Sequence, residues 1–245
     1  KHPKYQSRKA FQFTIEFKLS KQCRLHFGQE LAIKMANKPK FESGIRSEVE
    51  LKRALKYARF ADHAILRDIW TNFYMVSKDV YRSNHPTPKQ LNRIKDMGVK
   101  SILSLRSEDF YGSQTERYLC DQLGLRLEFC PMTASRAPTI SELQNLLEAF
   151  DTLPRPFLIH CKSGADRSGL AAALYQIDHD SIDPKIAKKK MLSLRFIHFG
   201  FNKKGILRAF IDAYDTARQE TGITLRDWIS TKYDPENLQR DFDQA

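Results

Sequence analysis

The 245-residue sequence contains no uninterrupted apolar run near the roughly 18 residues that a helix needs to cross a bilayer. That excludes a helical membrane anchor within it. The opening stretch, KHPKYQSRKAF, is charged and has no apolar segment behind it, so it carries no secretory pattern. The chain does not begin with Met, which leaves open a targeting segment removed upstream. Cysteine is scarce: Cys23, Cys120, Cys130 and Cys161, none in CxxC spacing, which argues against a thiolate metal site or a disulfide framework. His2, His26, His63, His85, His179 and His198 show no ligand spacing and read as surface or core residues. No repeats or low-complexity tracts occur. No metal and no cofactor is expected.

Apolar residues make up 41% of the sequence, enough for a packed core. The net charge is +12 and lies at one end: residues 1–60 carry 15 Lys and Arg against 5 Asp and Glu, and the remainder 26 against 24. Such a basic quarter suits an anionic membrane surface or a phosphorylated substrate, with nucleic acid the weaker candidate. A solvated face that keeps the protein soluble is the plain alternative. Low cysteine usage places the chain in a reducing, cytoplasmic setting, with peripheral contact to the inner membrane surface as the sharper variant.

Three regions are expected. Residues 1–70 read as a basic extension: a period-two strand through Phe11, Phe13, Ile15, Phe17 and Leu19, a hairpin partner over 24–33, and a helix from Ser47 towards Trp70. Residues 71–235 alternate strands and helices, which argues an α/β domain with a central, mostly parallel sheet of about four or five strands flanked by helices. Strands are expected at 73–76, 80–83, 99–106, 125–129 and 156–160. Helices are expected from Pro88, over 114–123, 140–150 and 169–178, from Pro184 to about Phe196, over 206–217, and over 224–233. Residues 236–245 read as a frayed tail.

The chain is organised around Phe157-Leu158-Ile159-His160-Cys161-Lys162-Ser163-Gly164-Ala165-Asp166-Arg167-Ser168-Gly169. A buried strand delivers Cys161 into a short polar loop, and the loop feeds a helix built on Leu170 to Ile177. Backbone N–H groups at such a helix entrance form a concave anion site, and a thiol at its floor ionises more readily than a free one. Arg167 offers a planar fork for two phosphate oxygens. Ser168 can stabilise the sulfur as a leaving group.

His160-Cys161, five residues, then Arg167-Ser168-Gly169 resembles the signature loop of cysteine-dependent phosphatases of the protein-tyrosine phosphatase superfamily. The upstream series VYRSNHPTPKQL…MGVKSILSLR is similar to the opening of bacterial atypical dual-specificity phosphatases, so the resemblance spans roughly 73–217. It implies that Cys161 attacks phosphorus to give a phosphocysteine, while Arg167 and the loop of Lys162, Ser163, Gly164 and Ala165 bind the phosphate. His160 is expected to be structural. Arg82 and Arg106 close their strands, either facing the site or serving the scaffold.

One departure stands out. Relatives place an acidic proton donor on the loop ahead of the helix preceding the signature strand. Here that loop, 131–139, has neither Asp nor Glu. Asp166, inside the signature loop, is the first substitute, as in some bacterial and phosphoinositide-directed relatives; Asp109 or Glu108 is the second. Arg136 in the acid-free loop could hold a further anionic group of the substrate. The expected substrate is a phosphoprotein, or a strongly anionic phospholipid, phosphosugar or nucleotide. Two other classes remain: a phosphate-binding pseudophosphatase, and a redox enzyme of the arsenate reductase kind with Cys130 as resolving thiol.

Overall fold

The computed structural model describes residues 45, 47–61, 67, 69–109, 111–196 and 205–245. The chain divides into two units, Lys1–Lys38 and Pro39–Ala245. The expected hairpin of residues 11–33 lies outside the described residues, as does most of 62–68. The expected helix from Ser47 is present as α1, Glu48–Ala61, with Ser47 Oγ accepting from the Glu50 N–H.

Five strands form one sheet: β1 Tyr74–Ser77, β2 Val80–Ser83, β3 Ser101–Ser104, β4 Arg126–Phe129 and β5 Phe157–His160, in the order β1-β2-β5-β3-β4. Only the β1–β2 pair is antiparallel; β2–β5, β3–β5 and β3–β4 are parallel. β5 is therefore central, and its FLIH side chains are all buried, as expected of a strand covered on both faces. Its register, Ser83 and Ser104 opposite His160, ends three strands on one line. Cys161 emerges there, at the carboxyl edge, where parallel sheets place their sites.

The helices between the strands are α2 Pro88–Asp96, α3 Tyr111–Leu123 and α4 Ile140–Thr152. α2 and α4 begin with complete capping boxes, Thr87 with Gln90 and Thr139 with Glu142. α5, Asp166–Asp178, follows the loop and is buried along nearly its whole length. It starts earlier than the apolar run predicts: Asp166, Arg167 and Ser168 form its first turn. The core packs Leu143, Leu146 and Phe150 of α4 and Leu170, Ala173 and Leu174 of α5 beneath the sheet.

The expected helix from Pro184 to Phe196 is split. α6 ends at Met191, and a 3-10 turn, Leu194–Phe196, follows. The break frees carbonyls for two arginines: Met191 O accepts from Arg82 Nη1 at 2.7 Å and Leu192 O from Arg208 Nη1 at 2.6 Å. Next come α7, Ile206–Thr221, and α8, Leu225–Thr231. The expected frayed tail is corrected: Pro235–Gln244 is a ten-residue helix, α9, capped by Asp234 accepting from the Glu236 and Asn237 N–H groups. Pro at the first helical position and Asp before it were the local signal. Gln239 Oε1 accepts from the Ala137 N–H at 2.8 Å, and Tyr233 donates its hydroxyl to Pro138 O at 2.7 Å. The C-terminal segment thus fixes the acid-free loop.

Candidate active site

The loop between β5 and α5 is held from outside by its carbonyls. The His85 N–H donates to Lys162 O at 3.2 Å, Asn72 Nδ2 to Ser163 O at 2.7 Å, and Arg82 Nη2 to Gly164 O at 2.5 Å and Ala165 O at 3.1 Å. Four successive carbonyls are thus engaged outward. The Gly164 and Ser168 N–H groups point at the Cys161 sulfur. Gly164 makes the turn possible. Its φ is +71°, and a Cβ there would lie 2.6 Å from Asn84 N and 2.7 Å from the Ser83 carbonyl.

Cys161 is buried, 2% exposed. Burial alone pushes its thiol up. The Arg167 charge, the Ser168 hydroxyl and the two loop amides more than offset that and bring it below the ordinary value of 9.0. The Ser168 hydroxyl is buried and has no other partner among the described residues. Arg167 is docked by Nη1 on Leu105 O at 2.9 Å and Met132 O at 3.3 Å. Those bonds fix the guanidinium to the ends of the neighbouring strands and leave the other edge of the fork for an anion. Lys162 and Ser163 are exposed at the loop tip, while Gly164 and Ala165 are buried. Beside Arg167 a cleft is lined by Ser107, Cys130, Met132, Thr133 and Asn145.

Three supports were not singled out in the sequence: Asn72, His85 and Glu116. Asn72 sits at a φ of 49°, tolerated by Asn, and also reaches Phe196 O at 3.2 Å. Glu116, on α3, is buried and pairs with His160 Nε2 at 2.8 Å; His85 Nδ1 is 3.7 Å from its other oxygen. These residues meet only through the fold, 31 or more positions apart in pairs such as His85–Glu116. His85 is held well below its usual range by burial and then by Arg106 and His160. His160 is thus a buried partner at the strand end, as expected. Arg82 belongs to the scaffold: it is fully buried, stacks 4.1 Å from the Phe196 ring, and burial lowers it to about 10.

The acid candidates separate. Asp166 is buried at the first turn of α5, and its charge is felt by Arg82. Glu108 pairs with Arg117, and Asp109 is exposed in a different groove with Gln114 and Asp121. Arg136 makes a two-pronged pair with Glu142, at 2.9 and 2.7 Å, and donates to Ala137 O at 2.9 Å. Its guanidinium is thereby held at the start of α4. Cys130 is buried core, and burial with Glu142 and Glu128 raises its thiol to about 12. Cys120, Cys130 and Cys161 are all free thiols.

A strand-delivered cysteine facing loop amides, followed six residues later by arginine, defines a cysteine-dependent phosphatase of the dual-specificity kind. Residues 72–204 match the family model described as "DSP-PTPase phosphatase fused to NAD+ Kinase", and the chain belongs to that family. It is 27% identical over 164 residues to dual specificity protein phosphatase TpbA of Pseudomonas aeruginosa, covering 66% of this chain and 67% of that one. It is 30% identical over 105 residues to an inositol diphosphatase of Arabidopsis thaliana, covering 40% of this chain and 50% of that one. The crystal structure of P. aeruginosa TpbA superposes with a TM-score of 0.48 at 23% identity, covering 71% of this chain and 91% of that one. Among the described residues no helix is long and apolar enough to cross a membrane.

Proposed function

We propose that this phosphatase hydrolyses phosphate monoesters by two displacements at Cys161. The thiolate attacks phosphorus in line, the S–P bond forms as the P–O bond to the leaving group breaks, and a phosphocysteine results. Arg167 and the inward amides of 162–167 hold the equatorial oxygens and favour the transition state. Ser168 donates to the sulfur as it leaves when water takes the phosphoryl group. Asp166 supplies the proton to the leaving oxygen and takes one from the attacking water. The single observation that carries this reading is the lowered Cys161 thiol, facing the Gly164 and Ser168 amides and the Arg167 charge.

The substrate we infer is strongly anionic, a phosphorylated protein, lipid or small molecule. Exposed Lys162 at the loop tip and the basic residues 1–60 support that, as do relatives named for dual specificity and for inositol diphosphates. The same basic residues would serve contact with an anionic membrane surface. A panel of aryl phosphate, phosphotyrosine peptide, phosphoinositides and nucleotides, each assayed with Cys161→Ser, tests the reading. Phosphate release that vanishes in the variant supports it; release that persists overturns it. The redox alternative is disfavoured by the high Cys130 thiol, a poor attacking group.

A further inference from the structure

The run Lys188-Lys189-Lys190 at the end of α6 is not simply a solvated face. Lys188 turns to Asp212 on α7. Lys189 and Lys190 instead line a groove with Tyr74, Ser193, Arg195 and Phe196. Among the described residues, none of Lys189, Lys190 and Arg195 has an acidic partner, and the groove contains no carboxylate. Arg195 lies over the Tyr74 ring at 5.0 Å and the Phe196 ring at 5.7 Å, which themselves meet edge to face at 5.5 Å. Aromatic faces hold the guanidinium flat and leave its N–H donors unspent, a geometry suited to phosphate oxygens.

The groove is also joined to the catalytic loop. Phe196 forms its wall, and the Arg82 guanidinium stacks on that ring while holding Gly164 O and Ala165 O. Asn72 bridges Phe196 O and Ser163 O. Arg82 also takes the last carbonyl of α6, Met191 O. The element that carries the lysines is thereby fastened to the loop that carries the nucleophile.

We infer that this groove is a second anion site, separate from the Cys161 loop, which binds a phosphate-dense ligand through Lys189, Lys190 and Arg195. The ligand chemistry is clustered phosphate, free in solution or on a lipid headgroup. The site does not require that Cys161 be catalytic, so the catalytic reading is scored separately, by aryl phosphate release.

The test uses the full chain with orthovanadate filling the Cys161 loop and inorganic tripolyphosphate as the titrant, followed by calorimetry. The variant is Lys189→Ala with Lys190→Ala and Arg195→Ala. A control removes the same charge elsewhere, with Lys89→Ala, Lys95→Ala and Lys100→Ala. Three lost phosphate contacts should weaken binding at least about tenfold, the control should stay near wild type, and aryl phosphate turnover without tripolyphosphate should be unchanged. Equal affinity in variant and wild type, or an equal loss in the control, overturns the site. Sedimentation with vesicles containing phosphatidylinositol bisphosphate separates the sources: capture that depends on the three residues assigns the headgroup, and tripolyphosphate binding without capture assigns a soluble ligand.

Discussion

At Cys161 two opposing effects meet on one sulfur. Burial favours the neutral thiol, and a fixed positive environment favours the anion; the second wins. Alkylation by iodoacetamide should therefore titrate with a midpoint below 9.0, the ordinary value for a thiol here. Because this is an acid whose folded-state ionisation is favoured, its thiolate contributes stability that is full above the ordinary value of 9.0 and is lost as pH falls from there through the lower folded-state midpoint. Arg167→Met removes the largest lowering influence and should move the midpoint up, with turnover falling on the order of 10²-fold or more. An unshifted midpoint in that variant would remove Arg167 from the account. Asp166→Asn should slow a poor leaving group about 10²-fold while sparing an aryl phosphate with a good one. Equal rates on both would leave the proton donor elsewhere. Gly164→Ala places a Cβ into the Ser83–Asn84 backbone at positive φ, and should cost at least about 2 kcal/mol in a denaturant titration.

Elements explain why the loop keeps its shape. The end of β2, the turn after it and the segment before β1 converge on the loop carbonyls through Arg82, His85 and Asn72, and Arg82 also ties in the end of α6 at Met191 O. Asn72→Ala should strand a loop carbonyl at a cost of about 1–3 kcal/mol. It should also raise the alkylation midpoint, which a purely distant stability effect would leave in place. The strand–loop–helix unit was legible in the sequence because its residues are contiguous: an apolar tetrad, a Gly at the turn and a run of helix formers. Arg82 was noticed as a strand-end arginine, yet its direction was open until β2 was placed beside β5. Asn72 and Glu116 were not legible, since nothing local marks an asparagine 91 positions from Ser163 as its partner. The partner of Arg136 was hidden for a related reason. The capping box of Thr139 and Glu142 was readable, but its reach back to Arg136 was not. The helix α9 overturned a frayed tail because Asp234-Pro235 is a strong start signal that a polar composition obscured.

For the whole molecule, fold and charge act together. A central, mostly parallel sheet places Cys161 at its carboxyl edge, and the sequence's alternation of strands and helices was enough to anticipate that layout. The basic residues of the chain give it a net charge of +12. Attraction of a multiply phosphorylated substrate should therefore weaken as salt screens it, since the Debye length shortens to about 8 Å near 0.15 M. kcat/KM for such a substrate should fall with ionic strength through KM, more steeply than for an aryl monophosphate; equal slopes would show that the basic residues do not assist binding.

The most direct measurement is acid quench of the enzyme during turnover, followed by mass spectrometry of its peptides. The account predicts a phosphate on Cys161 during steady state that is absent in Cys161→Ser. A phosphate on another residue, or undiminished turnover in Cys161→Ser, would contradict it.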